Sequence, residues 1–88
     1  MKASAIVTGG SGGLGVAVVE ELLAAGWRVV VPGTREKELS RLPDEPRLET
    51  VRADLSDPDD ARTAVARAAG APDAPLRAVV NLVGGFGA

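Results

Sequence analysis

The sequence predicts an α/β fold: four parallel strands in the order 3-2-1-4 with helices on both faces, the beginning of a doubly wound sheet. Three observations predict it. Short apolar runs alternate with stretches of helical periodicity along the whole chain. A glycine-dense turn, Thr8-Gly9-Gly10-Ser11-Gly12-Gly13, joins the first apolar run to the first helical stretch. Each later run is also reached through a helical stretch, which returns the chain to the same end of the sheet and makes the strands parallel.

The elements follow in order. Ala3 to Val7 is nearly continuous in apolar residues, as a strand buried on both faces must be. From Leu14 to Ala25, Val18, Val19, Leu22 and Leu23 group on one side of a helix with Glu20 and Glu21 opposite, and Gly26 stands where a helix stops. Arg28 to Val31 reads as a β-branched strand that Pro32-Gly33 ends. Arg35 to Leu42 reads as a short polar helix with Leu39 and Leu42 turned inward. A third strand runs through Leu48, Thr50 and Val51 to Ala53-Asp54. Next comes the clearest helix start in the chain: Asp57 to cap, Pro58 at the first helical position, Asp59 and Asp60 at the positive end of the dipole. This helix offers a stripe at Ala61, Ala64, Val65, Ala68 and Ala69, and ends at Gly70. Ala78 to Val83 is the fourth strand, apolar on both faces, and residues 84–88 trail off as a loop.

Composition narrows the function classes. Eighty-eight residues make one small domain with a limited core. A net charge of -2 argues against a nucleic-acid or anionic-membrane surface, and no apolar run reaches membrane-spanning length. The first residues lead straight into a strand rather than a secretory leader, so a cytoplasmic location is expected. Without Cys or His the chain has no thiolate or imidazole metal site and no histidine acid/base.

Function is concentrated in the glycine turn. A strand that ends in a tight turn and opens a helix presents free amide groups and the helix dipole to an anion, and glycine lets the backbone approach a pyrophosphate. Gly10-Ser11-Gly12-Gly13-Leu14-Gly15 satisfies G-x-G-x-x-G in that strand–turn–helix setting. The alternative is a flexible turn that binds nothing.

Here the sequence resembles the short-chain dehydrogenase/reductase family. Thr8 to Gly15 matches the family's T-G-x-x-x-G-x-G, and equally the T-G-x-x-G-x-x-G of its extended branch. Ala53-Asp54-Leu55 resembles the Asp-plus-aliphatic pair after strand three, and Asn81-Leu82-Val83-Gly84 resembles the compact branch's N-N-A-G, with Leu82 and Val83 replacing its second Asn and its Ala. The resemblance implies a Rossmann fold and a nicotinamide dinucleotide as partner. It assigns Gly9, Ser11, Gly12, Gly13, Leu14 and Gly15 to the pyrophosphate and its ribose. It assigns Asp54 to the adenine amino group, Leu55 to the ring, and Asn81, Val83 and Gly84 to the ribose side of the cleft. Two of these have simpler readings: Asp54 as a turn residue before a helix, and Asn81 as a strand-end residue that satisfies backbone groups.

The residue ending strand two chooses between the two cofactors: a carboxylate there binds both ribose hydroxyls of NAD and repels the extra phosphate of NADP. Here that position is Gly33, followed by Thr34 and Arg35, which favours NADP with NAD as the alternative. Against this stand Gly12, where many NADP-using relatives carry a base, and Glu36 beside Arg35; Arg35 also reads simply as an exposed helix-start arginine.

The family's chemistry is hydride transfer between the cofactor and a carbonyl/alcohol pair, with a Tyr as proton donor and a Lys four residues on. The chain has no Tyr, and its two lysines are Lys2 and Lys37. The sequence therefore reads as the cofactor-binding N-terminal portion, residues 1–88, stopping after strand four with no catalytic residue of its own. Two other readings stay open: a stand-alone nucleotide-binding or interaction module that associates through the uncovered edge of strand four, and an inert fragment.

Overall fold

The structure, a computed structural model, describes residues 3–9, 13–34, 39–40 and 42–82. Its elements are β1 (Ser4–Thr8), α1 (Gly13–Ala24), β2 (Arg28–Gly33), β3 (Leu48–Arg52), α2 (Pro58–Ala69) and β4 (Leu76–Asn81). The strands form one parallel sheet in the order β3-β2-β1-β4, the predicted arrangement.

Alternate residues of a strand face opposite sides of the sheet, and each side has its own helix. Val7, Val29 and Val31 pack with Val19 and Leu23 of α1. Ile6, Val30 and Val51 pack with Ala68 of α2. Every residue of β1 is buried, which is what its nearly continuous apolar run requires. Its one polar exception at the start, Ser4, donates its hydroxyl to the Ala74 carbonyl at 2.6 Å, so the buried group is satisfied.

The helices meet their expected ends. Asp57 caps α2 by accepting from the Asp59 amide at 2.9 Å, with Pro58 first in the helix. α1 closes on Gly26, whose φ of 91° is left-handed; its N–H bonds Leu23 O and the Trp27 N–H bonds Leu22 O, the paired bonds of a Schellman motif. α1 buries Gly15, Val19 and Leu23 at intervals of four, with Val16, Val18 and Leu22 half-buried beside them. The stripe of α2 is narrower than its periodicity predicts. Ala64 and Ala68 are buried and Ala61 is half-buried, while Val65 and Ala69 are exposed. A helix that touches the sheet through alanines comes close to it and needs only a thin line of contact.

Two strands differ from expectation. β2 runs through Pro32 and Gly33 instead of ending before them, in register with Val51 and Arg52 of β3. The reason is direction. Gly33 O accepts from Ala53 N and Val29 N donates to Arg47 O, so odd-numbered backbone groups face β3 and those of Pro32 face β1, beyond the last β1 pairing at Val30. The β2–β3 ladder is therefore intact, and the cost falls on the other side: a Pro32 N–H would have met the Val7 carbonyl, so the β1–β2 ladder stops at Val30. β4 begins two residues earlier than expected and ends at Asn81, and Leu82 follows it outside the strand. It is not buried on both faces. A register shift between Ser4 and Ala5 skips Arg77, and from there Ala78 and Val80 turn toward the α1 side while Val79 is 63% exposed. α2 packs over β1 and β2 and leaves that side of β4 open. Of the expected short helix at 35–42, only Leu39, Ser40 and Leu42 are described; Leu42 is buried in the α1-side core and Leu39 packs against it.

At the N-terminal ends of the strands, Arg28 is 14% exposed and makes four bonds. It reaches Glu49 Oε2 at 2.7 Å, Ser4 Oγ at 3.2 Å, and the Ala68 and Arg67 carbonyls at 3.2 and 3.1 Å. Arg67 pairs with the other oxygen of Glu49. This cluster ties the last turn of α2 to β2 and β3.

Candidate functional site

All four strands point their C-terminal ends the same way, and the sequence-predicted residues that the structure describes collect there. A parallel sheet puts its binding residues at that edge because the loops leaving it carry the free ends of the backbone.

Gly9 leaves β1 with φ of 76°, a left-handed conformation that side chains disfavour and glycine adopts freely. Four residues on, Gly13 opens α1. A Cβ built on Gly13 would have no atom within 4 Å. Packing among the described residues thus gives no reason for glycine there, whereas a phosphate approaching the helix start would need the backbone bare. Leu14, next in line, is 70% exposed, whereas Gly15 is buried against the sheet. Ser11 and Gly12 lie outside the described residues, as do Arg35, Val83 and Gly84.

At the end of β2, Gly33 is half-buried and Thr34 exposed. A Cβ on Gly33 would come within 2.8 Å of Leu39 Cδ2, the end of a flexible side chain. At the end of β3, Asp54 makes a tight turn. Its Oδ1 accepts from both the Ser56 amide (2.9 Å) and the Ser56 hydroxyl (2.6 Å), while its own amide donates to Asp60 Oδ2 (2.8 Å). The Ser56 hydroxyl, then the Ser56 N–H, hold the Asp54 carboxyl below the usual aspartate range. Asp54 thus builds a turn through Oδ1, and the residue is exposed. Leu55 beside it is 40% exposed, an apolar surface with no core role. Thr34 and Asp54 share a cleft of about 170 Å³ with Arg52, Ala53 and Asp60.

At the end of β4, Asn81 lies beside Thr8 in register, and the Thr8 hydroxyl donates to Asn81 Oδ1 at 2.7 Å. That bond fixes the amide orientation and ties the glycine turn's first residue to the neighbouring strand. Sequence reasoning named both residues but not their bond; their shared position at the ends of β1 and β4 was the available signal. Among the described residues no cluster of acidic side chains is arranged to hold a metal, and no helix is long and apolar enough to cross a membrane.

This arrangement is that of the short chain dehydrogenases, whose family model matches residues 3–87; the chain belongs to that oxidoreductase family. Particular relatives agree. The chain is 46% identical over 66 residues to a Streptomyces violaceoruber protein named as ketoacyl reductase 2 of the granaticin polyketide synthase, covering 69% of this chain and 25% of that one. It superimposes on the crystal structure of 3-hydroxyacyl-CoA dehydrogenase type-2 from Mycobacterium avium with a TM-score of 0.82 at 38% identity, covering 97% of this chain and 34% of that one. A short-chain dehydrogenase/reductase from Brucella melitensis matches with a TM-score of 0.67 at 32% identity, covering 80% of this chain and 34% of that one. The chain thus spans about a quarter to a third of the length of these relatives.

Proposed function

We propose that residues 1–88 form the cofactor-binding portion of a reductase, holding a nicotinamide dinucleotide across the C-terminal ends of the strands. The observation that carries this reading is the passage from β1 to α1, with a left-handed Gly9 and no atom within 4 Å of a Cβ built on Gly13. The pyrophosphate lies along Gly9, Ser11, Gly12, Gly13, Leu14 and Gly15. Adenine stacks on Leu55 and donates its amino group to the Asp54 carboxylate. Asn81, Val83 and Gly84 border the ribose on the nicotinamide side. Gly33, Thr34 and Arg35 receive the adenosine ribose, and the absence of a carboxylate at Gly33 favours NADP over NAD. The cofactor supplies the hydride and this chain supplies none of the proton-transfer groups. Relatives named for ketoacyl and hydroxyacyl compounds point to a keto/hydroxy pair on an acyl chain as the substrate of the whole enzyme. A cytoplasmic location goes with this reading.

Calorimetric titration with NADPH tests it. The chain should bind one equivalent, and Gly13→Val should weaken binding at least tenfold while leaving the helical circular dichroism unchanged. Equal affinities would place the nucleotide elsewhere or nowhere. A second reading has its own observation: β4 is an edge strand with Val79 exposed, a surface that favours self-association. Sedimentation of the chain against Val79→Lys would separate a pairing edge from a solvated one.

A further inference from the structure

We propose that Arg52 is a specificity-determining residue, the guanidinium that meets the 2′-phosphate of an NADP-type ligand. The inference rests on the dinucleotide reading above and adds to it a residue from β3, which the motifs do not include.

Placement comes first. Arg52 is the last residue of β3 and pairs in register with Gly33, the last residue of β2. Adjacent strands are about 4.8 Å apart, so Arg52 is the immediate neighbour of the position that selects between the two cofactors. Its exposed side chain leaves the sheet on the side opposite buried Val51 and Ala53. It lines the cleft shared with Thr34, Asp54 and Asp60, and also a larger one of about 410 Å³ with Leu39, Ser40 and Thr50.

Its bonding is the second observation. Arg28, Arg47, Arg62 and Arg67 each hold a carboxylate. Arg52 shares its cleft with two carboxylates and forms no ion pair with either. Asp54 is turned to Ser56 through Oδ1, and Asp60 is turned to the Asp54 amide through Oδ2. Both acids are thus engaged in building the turn. Arg52 is thus exposed and lines open clefts beside Gly33 without either acid as an ion-pair partner. A phosphate monoester carries a charge of about −1.5 to −2 at neutral pH, and arginine meets it with two parallel bonds. The acids also sharpen the effect: Arg52 is the one cation among the described residues lining this cleft, so its removal leaves two carboxylates facing the phosphate with nothing to offset them.

The alternative is an arginine that keeps an edge strand from pairing with other chains. Arg77, exposed on the opposite edge strand β4, is the matched control.

Adenosine 2′,5′-bisphosphate and 5′-AMP probe this end of the site without the nicotinamide half. Calorimetry should show the chain binding the bisphosphate more tightly. Arg52→Gln should weaken the bisphosphate by about tenfold or more and change 5′-AMP less than twofold. Arg77→Gln should change neither, and Arg35→Ala should leave a preference that the added Arg52→Gln removes. An unchanged preference in Arg52→Gln overturns the assignment of Arg52 alone. Equal weakening of both ligands also overturns it, since Arg52 would then support the fold or the ligand generally. Failure of the unaltered chain to bind either compound overturns the dinucleotide reading and this assignment together.

Discussion

Replacing Arg28 with Met keeps a long apolar stem and removes the charge and all donors, so it isolates what the cluster beneath the sheet contributes. Four bonds are lost: one to Glu49, one to Ser4, and two to the carbonyls ending α2. They do not count equally. The bond to the Arg67 carbonyl is exposed and water replaces it, and Glu49 keeps its pair with Arg67. The bonds to Ser4 and the Ala68 carbonyl are partly buried, and hydrogen bonds to charged groups contribute about 1.5–3 kcal/mol each before such discounts. The side-chain exposures of 14% and 32% for Arg28 and Glu49 keep the pair well below the worth of a fully buried one. The expected loss is therefore about 2–3 kcal/mol, against a total stability of roughly 4–13 kcal/mol for a chain of this size. At about 4–8 °C per kcal/mol, Tm falls by roughly 10–20 °C. Urea unfolding followed by the fluorescence of Trp27, the chain's single tryptophan, half-buried against the α1-side core, measures it. A change below about 0.5 kcal/mol would refute the reasoning and make the cluster a solvated surface feature. The cluster is at the far end of the strands, so nucleotide affinity of the folded variant should be unaltered.

Two further perturbations act at the site. Ser56→Ala removes the strongest of the contacts that hold the Asp54 carboxyl low, so the Asp54 pKa should rise toward the ordinary range while the Ser56 N–H retains part of the shift. A carboxylate depressed on folding stabilises the native state above the unfolded pKa and loses that contribution as pH falls through the folded one; the variant should lose it at higher pH. Carboxyl chemical shifts followed through acid titration check this, and an unmoved Asp54 midpoint would count against the turn geometry. Gly33→Asp places a carboxylate where the ribose hydroxyls of NAD would meet it, brings its Cβ against Leu39, which must shift, and should lower the NADP-to-NAD affinity ratio at least tenfold. Dissociation constants for both dinucleotides at one ionic strength decide it; an unchanged ratio would remove Gly33 from the selectivity argument.

Much of the fold was legible because its signals are local. A nearly continuous apolar run marks β1, Asp57-Pro58 marks the start of α2, and Gly26 marks the end of α1. Alternation predicted parallel strands, and the doubly wound arrangement predicted their order. What the sequence hid depends on register and direction. Pro32 stays in β2 because its backbone faces away from β3, and Val79 is exposed because one skipped residue, Arg77, reorients the rest of β4. Neither is a property of a residue or its neighbours. The Arg28–Glu49–Arg67 cluster joins positions 21 and 18 residues apart, with no periodicity to announce it. At the site, motif spacing identified Gly9, Gly13, Asp54 and Asn81. The bonds that orient them, Ser56 to Asp54 and Thr8 to Asn81, required the strands to be side by side.

The central claim, a dinucleotide lying across the C-terminal ends of the strands, is tested most directly by mapping backbone amide shifts in the labelled chain during titration with NADP. The account predicts saturable changes at Gly9, Gly13, Leu14, Thr34, Asp54, Leu55 and Asn81, and none at Arg28, Glu49 or Arg67. Changes gathered around Arg28 and the end of α2, or no saturable change at any amide, would contradict it.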